Sequence, residues 1–81
     1  MIPDAIKRTG GLIRSICQGE LQIVVARVRN SQAETAEGRR SRERLRALEA
    51  MLRRLANETG EPTIIDAVET VIATNQALLP P

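Results

Sequence analysis

RRSRERLRALEAMLRRLA, residues 39–56, carries two stripes that decide the fold. Leu45, Leu48, Leu52 and Leu55 recur at spacings of three, four and three, and Met51 thickens the row. That rhythm belongs to a helix face packed against another helix. Arg39, Arg42, Arg46 and Arg53 fall within about 60° of one another at about 100° per residue, on the side away from the leucines. The stretch is therefore a helix with an apolar seam and a basic stripe.

Working outward toward the C-terminus, Gly60 stands where a left-handed residue closes a helix, and Pro62 where a first helical turn tolerates a missing amide. The tight turn at 57–62 forces the next helix, residues 62–79, back beside its predecessor. Ile64, Ile65, Val68, Val71, Ile72, Leu78 and Leu79 make its buried face, and Glu61 and Asp66 sit near its positive end. Asn75 lands in the middle of that face and reads more as a polar residue tolerated near a fraying end than as a register-fixing buried amide.

Toward the N-terminus, Ser31 with Glu34 has the form of a capping box, so the arginine and leucine helix spans 31–59. Its first turns are poor: Glu34, Glu37 and Ser41 occupy the seam and Gly38 weakens the helix, so residues 31–40 are expected to project or stay as a loop, with packing from about Ser41. Residues 1–30 form an amphipathic segment. Residues up to Thr9 give a short helical turn after Pro3, and Gly10 with Gly11 gives a hinge. Beyond it, Leu12, Ile13, Ile16, Cys17, Ile23, Val24 and Val28 share one helical face on which Glu20 and Arg27 intrude. LQIVVARV, residues 21–28, is also β-branched enough for a strand, with Gly19 as a break before it, but its alternation fails at Val24 and Val25. The helix reading is preferred.

The fold expected is all-α: one domain over 1–81, a small bundle or hairpin of three helices. The chain has no Phe, Tyr or Trp, so its core rests on Ile, Leu, Val, Met and Ala. A monomer of this size buries only about 60% of the surface its unfolded chain exposes, and a homo-oligomer, dimeric in the simplest case, is the expected remedy. The seam residues Leu45, Leu48, Leu52, Leu55, Ile64, Val68, Val71 and Ile72 are the candidates for core and oligomer contacts.

The net charge of +2 hides a strong asymmetry. Residues 39–54 carry seven Arg against Glu43 and Glu49, whereas residues 55–81 carry four acids and no base. Such a pattern calls for an anionic partner, or for attraction between the two halves. Part of the stripe is expected to pair locally, Glu49 with Arg53 and Glu43 with Arg39 and Arg46.

No catalytic residue, metal site or cofactor is expected. There is no His for proton transfer and no glycine pattern that would cradle a phosphate. Cys17 is alone, which excludes an intrachain disulfide, and reads as an inert thiol on an apolar face. No stretch is long and apolar enough to span a membrane, and the opening residues lack a secretory leader, so a cytoplasmic protein without membrane contact is expected.

The run LRRLANETGEPTIIDAVETVI, residues 52–72, resembles the helix, turn and helix of ribbon-helix-helix repressors, in which a similar acidic Thr-Gly turn precedes an amphipathic second helix. The likeness covers about a quarter of the chain. The segment that would have to supply the DNA-reading strand, NSQAETAEGRR at 30–40, has no alternation. The basic and alanine spacing of a zipper protein is missing as well, and membership of neither family is inferred. The expectation is a non-catalytic interaction module, of adaptor, chaperone, antitoxin or inhibitor type, with Arg39, Arg42, Arg46 and Arg53 facing an acidic protein partner. The alternative is a small dimeric DNA-binding regulator whose arginines follow phosphates.

Overall fold

The structure, a computed structural model, describes residues 4–80. Every regular element among them is a helix: α1 (Asp4–Gln18), α2 (Glu20–Asn30), α3 (Ala36–Thr59) and α4 (Pro62–Ala77). In space these make three arms, because α1 and α2 run as one arm kinked at Gly19. Helical bonding bridges the kink, with Gly19 N–H donating to the Ser15 carbonyl at 3.0 Å and Ile23 N–H to the Gly19 carbonyl at 3.3 Å. The Gln22 amide adds a bond to the Cys17 carbonyl at 3.3 Å. Residues 21–29 are thus helical, as their broad apolar face implied.

The expected hinge at Gly10 and Gly11 is not there; α1 passes straight through both. Helix propagation continues because Ile13 and Ile16, just beyond them, are anchored in the core, and tertiary packing outweighs about 1 kcal/mol of glycine propensity per residue. The helical turn expected after Pro3 falls partly on residues 1–3, which lie outside the described residues; from Asp4 to Gln18 the chain is helical.

The start of α3 also differs from the expected capping box. Thr35, not Ser31, is the N-cap, with its hydroxyl accepting from Gly38 N–H at 3.0 Å and donating to the Gln32 carbonyl at 2.8 Å. Residues 31–35 form the connection, and 36–40 are already helical rather than a projecting loop. Gly38 is buried because the connection crosses it: a Cβ there would overlap the Gln32 carbonyl, whose carbon lies 2.8 Å away. The glycine that weakens the helix in isolation is what lets the chain turn closely enough to pair α2 with α3. Ser41 follows it into the buried set.

The turn between α3 and α4 matches the sequence reading. Gly60 is left-handed at φ 67°, Pro62 opens α4, and Thr59 bridges the turn by donating to the Ala56 carbonyl at 2.6 Å and accepting from Glu61 N–H at 3.2 Å. α4 ends at Ala77, two residues short of the expected end, so Leu78, expected on its buried face, stands at the helix cap and is exposed.

Both outer arms lie antiparallel to α3, which contacts α1, α2 and α4. The ion pair between Glu20 and Arg44 and the crossing of Gln32 over Gly38 set the first arm. Arg53 bonded to Glu69 and Gln76 bonded to Glu49 set the second. The core lies on the inner face of α3, where Leu45, Leu48, Leu52 and Ala56 meet Ile13, Ile16, Leu21, Val24, Val25, Val28, Val68 and Ile72, with Leu55, Ile64 and Val71 half-buried against them. One chain therefore covers most of the leucine seam by itself. Asn75 is buried, not fraying: its amide donates to the Val71 carbonyl one turn back at 3.0 Å, which satisfies the group without a second chain.

Candidate interaction surface

The four stripe arginines do not remain one set. Arg53 reaches across the surface to α4, where its exposed guanidinium donates to both carboxylate oxygens of Glu69, Nε at 2.9 Å and Nη2 at 3.4 Å. That hydrogen bond, then the charge of Glu69 and to a lesser degree that of Glu49, holds the Arg53 pKa above its ordinary value. The expected pair of Glu49 with Arg53 along the helix is replaced by this cross-helix fork, whose bidentate geometry suits Arg. Glu49 is itself buried and accepts from the Gln76 amide at 3.2 Å.

Arg39, Arg42 and Arg46 lie farther along α3. Because Gln76, near the end of α4, sits beside Glu49, the part of α3 before Glu49 runs past the last turn of α4. Arg39 and Arg46 are exposed there, and Arg42 is half-buried, with Nη1 donating to the Gly38 carbonyl at 3.2 Å. Arg42 and Arg46 border a cleft of about 290 Å³ with Val28, Glu49, Gln76 and Leu79. Among the described residues, neither Arg39 nor Arg46 has a carboxylate within ion-pair distance, whereas Arg44, Arg53 and Arg54 are paired with Glu20, Glu69 and Glu58. The surface is thus three guanidiniums over two turns of helix, with the middle one steadied by its own backbone.

Glu49 and Gln76 escaped the sequence reading, although the signal was present. Glu49 is four residues after Leu45 and three before Leu52, so the same period that marks the leucines turns it inward. The long-range partners Glu20 and Glu69 could not be assigned from spacing along one helix.

Cys17 is half-buried in a groove of about 510 Å³ between α1 and α4, beside Ile13, Ile64, Val68 and Val71. Burial pushes its thiol pKa up, which disfavours the thiolate that nucleophilic chemistry requires. Among the described residues no group of three or more His, Cys, Asp or Glu side chains is placed to hold a metal ion, and no helix is long and apolar enough to cross a membrane.

No protein-family model, curated protein or solved structure matches this chain. Its function has to be argued from its surface.

Proposed function

We propose that this chain is a small non-catalytic interaction module whose α3 arginines, Arg39, Arg42 and Arg46, dock on an acidic surface of a partner protein. The observation that carries this reading is the position of these residues on a length of α3 that α4 does not cover, with Arg39 and Arg46 free of carboxylate partners among the described residues. Charges held on a rigid helix and left unpaired within their own chain are disposed to steer and orient an oppositely charged partner. Arg53, spent on Glu69, is not part of this set.

DNA is the second reading, favoured by the same uncovered helix, since residues 39–46 place cations along about 10 Å of axis. Protein is preferred because base reading calls for polar and basic side chains along an exposed recognition helix, whereas α4 carries Asp66 and Glu69 and no basic residue. Titrating a random-sequence 20-base-pair duplex at three salt concentrations separates the two. Three phosphate contacts give a slope of log affinity against log salt near −3. The protein reading expects binding too weak at physiological salt to define such a slope, together with measurable binding of a labelled polyglutamate peptide that Arg46→Glu abolishes. A duplex slope near −3, lowered by about one in Arg46→Gln, would establish DNA instead.

A further inference from the structure

Leu12, Ile23 and Met51 are three of the four large apolar side chains left exposed among the described residues, at 50%, 55% and 40% of their full surface. All three lie on the flank away from α4. Met51 stands roughly 160° around α3 from Glu49, and Leu12 roughly 140° around α1 from Cys17, at about 100° per residue; Glu49 bonds to α4 and Cys17 faces it across the groove. Ile23 borders a trough of about 750 Å³ between α2 and α3, together with Arg27, Arg40 and Arg44. Met51 continues that flank as a shallow depression with Ala47, Ala50 and Leu55, bordered by Arg54 and Glu58.

The flank has the size and charge layout of a self-complementary surface. The molecule measures 48 × 18 × 17 Å, so one long face is roughly 860 Å² in projection, close to the roughly 800 Å² per partner that a stable complex buries. Charge runs along its length. The half containing α2 and the start of α3, residues 19–46, has seven arginines against four carboxylates, and the remainder has five cations against six carboxylates. Two copies in parallel would set like ends together; two copies in antiparallel alignment set the basic end of each on the acidic end of the other.

We propose that two copies of this chain pair antiparallel across the flank of Leu12, Ile23 and Met51, about a two-fold axis passing near residue 49 of α3. In that register the small Ala47 of one copy faces the long Met51 of the other. Arg40 meets Glu58 of the second copy, since both lie nine residues, about 13 Å, from the axis. Arg44 and Arg54 also come opposite each other, but each already has a carboxylate in its own chain, Glu20 and Glu58. An acidic partner or a nucleic acid suits this flank poorly, because Glu20, Glu37 and Glu58 alternate with its arginines. The pairing leaves Arg39, Arg42 and Arg46 uncovered on the other side, so it does not rest on the reading given under Proposed function.

Sedimentation velocity of the full chain from 2 to 200 μM tests the pairing, with circular dichroism confirming that each variant keeps its helices. Wild type is expected to be dimeric at 200 μM. Met51→Glu, a surface change to a good helix former, should weaken association at least about tenfold, as a charge would be placed in the apolar centre. Arg40→Glu and Glu58→Arg should each weaken it roughly fivefold, and the double reversal should return it to within about twofold of wild type. A monomer at 200 μM, a dimer indifferent to Met51→Glu, or a double reversal no better than the singles would each overturn the proposal.

Discussion

One substitution made at two glycines should change stability in opposite directions. Gly11 is exposed in mid-α1, and a Cβ there meets nothing within 4 Å. Gly11→Ala should therefore stabilise the protein by the helix-propensity difference alone, about 0.5 to 1 kcal/mol. Gly38 receives the same propensity gain, about 1 kcal/mol. Its new methyl, however, must displace the Gln32 backbone. The connection is held there by Thr35, whose N–H and hydroxyl both donate to the Gln32 carbonyl, at 3.2 and 2.8 Å, while the hydroxyl caps Gly38 N–H at 3.0 Å. Losing the cap costs about 1 kcal/mol and the two bonds to Gln32 about 1 kcal/mol each. The net change for Gly38→Ala is a destabilisation of about 2 kcal/mol, a fall in Tm of roughly 8 to 16 °C, against a rise of roughly 2 to 8 °C for Gly11→Ala. With no aromatic residue in the chain, thermal melts at fixed protein concentration are best followed by circular dichroism at 222 nm. A Gly38→Ala variant as stable as wild type would refute the close crossing of the connection over α3, and a destabilised Gly11→Ala would refute the continuous α1.

Leu52, fully buried at 0% exposure, should cost roughly 2 to 5 kcal/mol when truncated to Ala. That is a large share of the 4 to 12 kcal/mol or so expected for a chain of this length, so a clear fall in the urea midpoint is the expected result, and a loss below about 1 kcal/mol by urea titration would contradict the core assignment. The raised pKa of Cys17 has a definite sign: burial disfavours the thiolate, so at pH 8 the folded chain holds less of the reactive form than the unfolded chain does. Alkylation by iodoacetamide should be slower in buffer than in 8 M urea at the same pH, and an equal or faster rate in buffer would count against a shielded thiol.

Local signals were read most securely where one element dictates its own geometry. The turn at Gly60 and Pro62 follows from one positive φ and one missing amide, and the leucine seam of α3 follows from a single period; the turn and the leucines are found as read, whereas Met51, expected to thicken the seam, is exposed. Legibility fails where a distant part of the chain decides. Gly10 and Gly11 stay helical because Ile13 and Ile16 reach the core, and Gly38 is helical and buried because the backbone of Gln32 lies against it. What decides both is the packing partner, the core that Ile13 and Ile16 enter and the connection that crosses Gly38, and the period of one helix does not name its partner. The same holds for the basic stripe: its four arginines are equivalent by spacing, yet the fold consigns Arg53 to Glu69 and leaves Arg39 and Arg46 without such a partner among the described residues. Asn75 departs from expectation for a related reason: its nearness to Pro80 and Pro81 implies fraying, whereas the fold buries it and ties the neighbouring Gln76 to Glu49 of α3.

This division of the stripe bears most directly on function, and single Arg→Gln variants measure it. A fluorescently labelled polyglutamate peptide titrated by anisotropy at low salt should bind wild type, and Arg39→Gln and Arg46→Gln should each weaken binding by roughly threefold to tenfold. Arg53→Gln should change it by less than about twofold, because that guanidinium is already committed to Glu69. Equal losses at all three positions, or a loss confined to Arg53→Gln, would contradict the assignment of the free arginines of α3 as the docking surface.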